Sequence, residues 1–472
     1  MSRVATYDVL VIGSGPAGQK AAIMAAKSGK RVAVIEREQG LGGSCVYRGT
    51  IPSKTLREAA LSLERVKRGA AVFDCKLREG VEVGMLMQRL DEVVSAHSRY
   101  MGDQLRRNGI VLLHGCSRFL SDHRLELTTV DGVTQELTAG LIVLATGSRP
   151  RHPAQIPVDH EHILDSDSIL SMIYLPRSLT IVGAGVVGCE YASIFSLLGV
   201  PVTIIDAAPR PLQFVDAELT ERFVASFEGY GGRYCGRQRI KNVRWDGLLS
   251  VVTTLENGEE IATEKMLVAS GRQPNLEDLN VGAAGLEPNA KGYLPVNQYG
   301  QTAVPHIYAV GDMAGPPSLA SSAMEQGRRA ICHALGMAVG SVDHLIPMGI
   351  YTIPELSSVG LDESRARERY RNIVVGRADF SEVARGQIAG SGQGLLKMIA
   401  GPDGHQLLGV QIIGDHATEL IHLGELALIN GNPVETFVEG IFNFPTYAEA
   451  YRIAALDIVK QRGQRPVLAK AG

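Results

Sequence analysis

A single cysteine, Cys45, lies in the stretch LGGSCVYRGTIPSK near the N-terminus, and the residue five positions later is Thr50. Two thiols at this spacing could form a redox-active disulfide, but threonine has no sulfur to accept electrons. The other cysteines are widely separated, so the pattern predicts neither a secreted disulfide framework nor a metal site built from cysteine and histidine. The six cysteines are Cys45, Cys75, Cys116, Cys189, Cys235 and Cys332.

Two glycine-rich turns could each hold a dinucleotide. They lie in YDVLVIGSGPAGQKAAIMAAKSGKRVAVIE (7–36) and LTIVGAGVVGCEYASIFSLLGVPVTIID (179–206), both read as strand, turn, helix and strand. The first glycine makes the turn, the second admits a pyrophosphate, the third lets helix and strand pack closely, and a terminal acid binds a ribose hydroxyl. The acid follows the first glycine by 23 residues in both copies, which predicts two dinucleotides. The residues are Gly13, Gly15, Gly18 and Glu36 in one copy and Gly183, Gly185, Gly188 and Asp206 in the other.

The elements that must position these residues are the strands and helices of an α/β protein. A chain of 472 residues is long enough for roughly three domains. The net charge is -3, without long runs of like charge, which argues against a nucleic-acid partner and a polybasic membrane anchor. Apolar runs are far shorter than the ~18 residues of a membrane span. The N-terminal stretch lacks a signal-peptide pattern, so we expect a cytoplasmic protein.

Four further segments carry a resemblance to a known family: LIVLATGSRP (141–150), GRQPN (271–275), TAVPHIYAVGDMAG (302–315) and YTIPELSSVG (351–360). Together with the glycine turns, they resemble the FAD-dependent pyridine nucleotide-disulfide oxidoreductases over nearly the whole chain. The resemblance implies two Rossmann-like dinucleotide-binding domains, for FAD and NAD(P), and a C-terminal α+β dimerisation domain that forms at least a homodimer. The implied boundaries are 1–150 and 271–344 for the two parts of the FAD domain, 151–270 for the NAD(P) domain and 345–472 for the dimerisation domain.

The resemblance also implies roles for individual residues. Glu36 would bind the adenosine ribose of FAD, and Asp312 would hydrogen-bond near its ribityl chain. Lys54 and Glu190 would form a catalytic ion pair beside the flavin. From the residues alone, Asp312 could be a turn residue, Lys54 an exposed helix lysine and Glu190 an acid favoured by the helix dipole. The other predicted cofactor contacts are Arg37, Gly42, Gly43, Ser44, Cys45, Gly49, Thr50, Gly115, Thr146, Gly147, Ser148, Gly271 and Gly311.

Two features of the family's disulfide reductases are absent. Thr50 replaces the second cysteine of their Cys-x4-Cys pair, and their His-x-His-Pro-Thr-x-x-Glu segment reads FNFPTYAE (442–449) here. Phe444 therefore stands where an acid/base histidine would be, and it cannot transfer a proton. This combination most closely resembles the soluble pyridine nucleotide transhydrogenases within the family.

The reaction that the resemblance implies is NADPH + NAD+ ⇌ NADP+ + NADH, by FAD-mediated ping-pong hydride transfer without a redox-active disulfide. Cys45 is then expected to act as a small buried apolar residue. Two other functions stay open: a diaphorase that passes electrons to a quinone or dye, and a non-catalytic FAD/NAD-binding redox sensor.

Asp206 poses a problem for this reaction, because an acid there binds the ribose of NAD(H) but repels the 2′-phosphate of NADP(H). Arg210, four residues later, is a candidate for binding that phosphate through its guanidinium. A surface arginine in a turn before Pro211 is an equally good interpretation. The sequence does not predict the physiological direction, the preference between NADH and NADPH, or the oligomer size beyond a dimer.

Overall fold

The structure is a computed structural model that describes residues 4–73, 83–340 and 345–464. Cys75 lies outside these ranges.

The first two thirds of the described chain contain strands and helices, and the last third contains a further group of both. The strands are β1 (Ala5–Ile12), β2 (Val32–Glu36), β3 (Val111–Ser121), β4 (Arg124–Thr129), β5 (Thr134–Leu144), β6 (Ser148–Pro150), β7 (Ile163–Asp165), β8 (Leu179–Val182), β9 (Val202–Ile205), β10 (Arg233–Cys235), β11 (Ile240–Trp245), β12 (Val251–Leu255), β13 (Glu260–Thr263), β14 (Lys265–Val268), β15 (Arg272–Pro274), β16 (Ile307–Ala309), β17 (Met348–Ile350), β18 (Leu356–Gly360), β19 (Val374–Asp379), β20 (Leu395–Ala400) and β21 (Leu407–Ile413). The α-helices are α1 (Pro16–Lys27), α2 (Gly43–Tyr47), α3 (Thr50–Phe73), α4 (Val83–Arg107), α5 (Val186–Leu197), α6 (Ala217–Gly229), α7 (Ala320–Ala334), α8 (Glu363–Arg369), α9 (Ala384–Ala389), α10 (Ala417–Ile429), α11 (Glu435–Glu439) and α12 (Glu449–Gln464). Short 3₁₀ helices occupy Ile169–Ser171, Glu277–Leu279, Val281–Ala284, Gly311–Ala314 and Phe380–Glu382.

The first sheet is built around β1, whose last four residues are completely buried, as is the whole of β2. Such continuous apolar runs are typical of parallel strands that are covered on both faces. β1 pairs in parallel with β2 and β5, with Val9 opposite Val32 and Leu10 opposite Ile142. β3 and β16 extend the parallel part, and β4 joins β3 to β5 as an antiparallel meander. The carboxyl ends of β1, β2, β5 and β16 therefore meet at one edge.

A second parallel sheet has the order β10-β9-β8-β14-β7, and it lies in the chain between β6 and β15. These two short strands pair antiparallel, with Ser148 opposite Pro274, so the chain leaves the first sheet and returns to it side by side. A small antiparallel sheet of β11, β12 and β13 follows β10.

The C-terminal part is a five-stranded antiparallel sheet in the order β17-β18-β21-β20-β19. α12 packs closely against it, since a Cβ placed on Gly376 of β19 would lie 2.0 Å from the carbonyl oxygen of Ala454. Among the described helices, none combines the length and the apolar character needed to cross a bilayer.

Candidate active site

The first glycine turn connects β1 to α1. Gly13 has φ +102°, and a Cβ there would lie 2.3 Å from the carbonyl oxygen of Ala145. A Cβ on Gly18 would lie 1.9 Å from the carbonyl oxygen of Gly13, so this glycine lets helix and strand approach. Gly15 directly precedes α1, and a Cβ there would meet nothing within 4 Å. The open space at the helix N-terminus suits an anion such as a pyrophosphate.

The second glycine turn, between β8 and α5, repeats this arrangement. Gly183 has φ +101°, and a Cβ at this position would lie 2.6 Å from the carbonyl oxygen of Ala269. A Cβ on Gly188 would lie 1.9 Å from the carbonyl oxygen of Gly183, whereas Gly185 faces open space. The three glycines therefore have the same roles in both turns: the first makes the turn, the second leaves space at the helix N-terminus, and the third lets helix and strand pack closely.

Glu36, the last residue of β2, and Asp206, the first residue after β9, are held in matching ways. Glu36 accepts the backbone N–H of Ser14 at 2.9 Å, and Asp206 accepts that of Ala184 at 2.6 Å. The second oxygen of each carboxylate accepts the N–H two residues further along, at 3.0 Å and 2.7 Å respectively. A carboxylate has about four lone-pair sites, so both acids keep acceptor capacity for a ribose hydroxyl.

A single cavity of about 1610 Å³ runs from the first glycine turn to the start of α5. It exceeds the roughly 300–1,000 Å³ of an ordinary small-molecule pocket. Most of the predicted site residues line it: Gly13, Gly15, Glu36, Arg37, Gly43, Ser44, Cys45, Gly49, Thr50, Lys54, Gly115, Thr146, Gly147, Ser148, Gly185, Glu190, Gly271, Gly311 and Asp312. The predicted residues outside its lining are Gly18, Gly42, Gly183, Gly188, Asp206 and Arg210.

Lys54 and Glu190 meet in this cavity as an ion pair. The Lys54 ammonium lies 2.7 Å from Glu190 Oε2, and the two side chains are 25% and 6% exposed. The other oxygen of Glu190 accepts the backbone N–H of Tyr351 at 2.9 Å, and the ammonium lies 4.9 Å from the centre of the Tyr351 ring. Three elements, α3, α5 and the segment after β17, thus fix the position of one positive charge.

The walls near the first glycine turn fit FAD. A Cβ on Gly43 would lie 3.2 Å from Gly15 Cα, so α2 begins close against the open N-terminus of α1 and narrows the cradle for a pyrophosphate. On the far side of the cavity, Ser148 donates its hydroxyl hydrogen to Asp312 and accepts from the guanidinium of Arg272 at 2.8 Å. Asp312 is thereby held at the cavity wall, where a group that contacts the cofactor must lie.

Cys45 lies in α2 and faces Thr50, the first residue of α3. Burial raises the pKa of the Cys45 thiol above its ordinary value, and a hydrogen bond with Thr50 and the charge of Lys54 oppose this only in part. Cys45 is a free cysteine. A neutral thiol is a poor nucleophile, so the environment favours the packing role, which stays a prediction.

The guanidinium of Arg210 is occupied by its own loop. It donates to the carbonyl oxygens of Val215 at 2.9 Å and Gln213 at 2.8 Å, and to the hydroxyl of Thr220 at 3.1 Å. These bonds hold the guanidinium against its own segment of the chain. The geometry favours a role in shaping the loop after Asp206, and the phosphate role of Arg210 remains a prediction without support from these contacts.

Tyr351, Asp167 and Arg272 are among the cavity residues that were not predicted as site residues. Asp167 lies 3.6 Å from both Arg48 and Arg272. Burial raises the pKa of Asp167 above its ordinary value, because the opposing effect of the two arginine charges is smaller than the effect of burial. Nothing in their spacing indicated a site, because the chain brings them together from three separate segments.

The chain belongs to the pyridine nucleotide-disulphide oxidoreductase family. Residues 7–327 match the family's main model, and residues 346–455 match the model of its dimerisation domain. The predicted family and fold class, with two nucleotide-binding domains and a dimerisation domain, are confirmed.

Within this family, the chain is similar to curated proteins named soluble pyridine nucleotide transhydrogenase. It is 41% identical to the one from Mycobacterium tuberculosis (strain ATCC 25177 / H37Ra) over 467 residues, covering 96% of this chain and 97% of the relative. The protein of that name from Escherichia coli (strain K12 / DH10B) is 41% identical over 458 residues, with the same coverage of the two chains. The predicted resemblance to this group is confirmed.

Solved structures of more distant relatives share the fold. LpdA from Mycobacterium tuberculosis superimposes with a TM-score of 0.88 at 27% identity, covering 96% of this chain and 99% of that chain. The HOCl-induced flavoprotein disulfide reductase RclA from Escherichia coli gives a TM-score of 0.86 at 26% identity, covering 95% and 99% of the two chains.

Proposed function

We propose that this protein is an FAD-dependent NAD(P)+ transhydrogenase that catalyses NADPH + NAD+ ⇌ NADP+ + NADH. One observation carries the proposal: a single cavity connects the two dinucleotide turns at the Lys54–Glu190 ion pair, and Thr50 occupies the place of a second thiol. Among the described residues, the two cysteines that line the cavity, Cys45 and Cys116, are both free thiols, so electrons from a nicotinamide would meet no disulfide there. The names of the similar proteins from Mycobacterium tuberculosis and Escherichia coli support the same activity.

FAD would be held by the backbone around Gly15 and Gly43, with Glu36 on its ribose and Asp312 near its ribityl chain. When bound, it accepts a hydride from one nicotinamide nucleotide and delivers it to another. Glu190 keeps the ammonium of Lys54 at one point in the cavity, where a fixed positive charge stabilises negative charge that develops during transfer.

The second turn would hold NAD(H) and NADP(H) in succession, with Asp206 on the ribose of NAD(H). Because Arg210 is bonded to its own loop, we propose Arg237 as a second candidate for the 2′-phosphate. The backbone N–H of Arg237 donates to the carbonyl oxygen of Ala208 at 3.0 Å, so this residue lies beside the turn that follows Asp206. Within the described residues, its exposed side chain has no hydrogen-bond or ion-pair partner, which leaves the guanidinium available.

Kinetics of Arg237→Ala and Arg210→Ala would distinguish these two candidates. Replacing the residue that binds the 2′-phosphate should lower kcat/KM for NADPH far more than for NADH. Replacing a residue that only shapes the loop should affect both nucleotides alike. An unchanged NADPH-to-NADH ratio in either variant removes that residue as the phosphate ligand.

We propose that the chain forms at least a homodimer through its C-terminal domain, which matches the dimerisation model. Leu426 and Ile429 on one face of α10 are 57% and 59% exposed, and Ile441 and Phe444 in the segment after α11 are 97% and 70% exposed. Apolar side chains exposed this far are typical of a surface that a partner covers. We also propose a cytoplasmic location, since the names of the relatives describe soluble proteins, and we retain the predicted domain boundaries.

Steady-state reduction of thio-NAD by NADPH tests the proposed function. We expect the purified holoenzyme to reduce thio-NAD, with parallel lines in double-reciprocal plots, as a ping-pong reaction requires. Failure to reduce thio-NAD together with rapid quinone reduction would establish a diaphorase instead. Flavin absorption that stays unchanged on addition of NADPH or NADH would favour a redox sensor.

A further inference from the structure

Three potential metal ligands meet at the edge of the first sheet, away from the cavity. Asp122 and His123 form the turn between β3 and β4, and His306 directly precedes β16. A ligand atom of each of the three side chains lies within 4.8 Å of the others. The two imidazole rings stack with their centroids 3.6 Å apart and their planes 5° apart. The residues belong to chain segments that lie on either side of the inserted second sheet.

Each imidazole uses one ring nitrogen on a backbone carbonyl oxygen. His123 Nδ1 lies 2.9 Å from the carbonyl oxygen of Ala139, and His306 Nε2 lies 3.0 Å from that of Asp122. A carbonyl oxygen only accepts, so each of these nitrogens carries the hydrogen. The lone pairs are therefore on His123 Nε2 and His306 Nδ1. Histidines that bind metals commonly donate their other N–H to a carbonyl or carboxylate, which fixes the tautomer and the ring orientation.

We propose that Asp122, His123 and His306 bind a divalent transition-metal ion of the Zn²⁺ type. Two imidazoles and one carboxylate provide three protein ligands, and water completes a tetrahedral set. Zinc–ligand bonds are about 2.0–2.2 Å long, so the three groups must move closer together when the ion binds. Asp122 and His123 are exposed and His306 is half-buried, so the Asp122 carboxylate and the His123 ring have room to move toward an ion.

The ion would join two parts of the first sheet that are far apart in the sequence. His306 lies at the start of β16, whereas Gly311 and Asp312, which line the cavity, follow its end. The metal would thus lie at the opposite end of this strand from the cofactor. Since an ion that binds only the folded state stabilises it by mass action, we expect higher thermal stability and unchanged transhydrogenase activity.

Isothermal titration of the EDTA-treated, dialysed holoenzyme with ZnCl₂ tests the proposal. We expect one Zn²⁺ per chain in the wild-type protein. His123→Ala and His306→Ala should each weaken binding by more than about a hundredfold, because loss of a direct ligand exceeds the 10–100-fold effect of losing an outer partner. His405→Ala, which removes an exposed histidine from the C-terminal domain, is the matched control and should bind as the wild type does.

Thermal unfolding gives a second readout that separates a lost ligand from a damaged fold. ZnCl₂ should raise the Tm of the wild type and of His405→Ala but not that of His123→Ala or His306→Ala, and all four proteins should keep their flavin absorption. Equal Zn²⁺ affinity in the wild type and in both histidine variants would overturn the proposal, as would the absence of Zn²⁺ binding to the wild type.

Discussion

Replacing Glu190 by glutamine tests the ion pair in the cavity with almost no change of shape. The amide oxygen of glutamine still accepts the backbone N–H of Tyr351, which lies 2.9 Å from the carboxylate. The negative charge 2.7 Å from the Lys54 ammonium is lost, and the Glu190 side chain is only 6% exposed, so water screens little of that charge. A hydrogen bond to a charged group contributes about 1.5–3 kcal/mol, and each 1.4 kcal/mol is a factor of ten. We therefore expect Glu190→Gln to slow hydride transfer by roughly 10- to 100-fold.

The assay separates transfer from binding. Holoenzyme is mixed with NADPH without oxygen, the loss of flavin absorption gives the rate of the first half-reaction, and thio-NAD reduction gives steady-state turnover. Glu136→Gln is the matched control, because it breaks a surface pair with Arg124 that has a similar N–O distance, 2.6 Å, but lies outside the cavity. Its rates should equal those of the wild type.

A Glu190→Gln enzyme that retains FAD and reduces it within twofold of the wild-type rate would refute this reasoning. The double variant with Lys54→Met adds a further check. If the two residues act as one unit, the second substitution should cause little additional loss, and fully additive effects would show that they act independently.

Two further predictions concern the thiol and a buried charge cluster. Cys45→Ala should keep FAD and most transhydrogenase activity, because the pKa of the thiol is raised by burial; loss of turnover with FAD still bound would show that the sulfur takes part. Lys397→Met should lower the free energy of unfolding in urea by about 3–5 kcal/mol, the usual effect of removing one partner from a buried pair. Lys397 is 3% exposed and lies 2.9 Å from Asp216 and 2.7 Å from Glu363, whereas the exposed Lys291→Met should unfold as the wild type does. Burial opposes ionisation of Glu363, but the hydrogen bonds and charges of Lys397 and Arg367 together outweigh it and lower the pKa of Glu363. That contribution is present above the ordinary pKa of glutamate and is lost as the pH falls through the lowered value, so the difference between wild type and Lys397→Met should shrink in acid.

Much of the candidate cofactor site could be predicted because its parts are local. Gly13, Gly15 and Gly18 lie within one short segment that connects β1 to the first turn of α1, and the role of each follows from the backbone conformation of that segment. Their counterparts in the second copy behave in the same way. Arg210 shows the limit of such reasoning, since its type and position suit a phosphate, yet its donors are directed to the oxygens of its own loop.

Residue types alone predict that this protein lacks the thiol chemistry of the disulfide reductases and that its two glycine turns suit dinucleotides. The replacement of a cysteine by Thr50 and of a histidine by Phe444 needs no coordinates to interpret, because a missing sulfur or imidazole is a matter of residue type. Folding was needed to bring Lys54 and Glu190, 136 residues apart, to 2.7 Å, and to place His123 beside His306, which lie in segments separated by an entire sheet. Contacts between side chains from distant segments are determined by how the sheets and helices pack. The spacing of residues along the chain does not predict that packing.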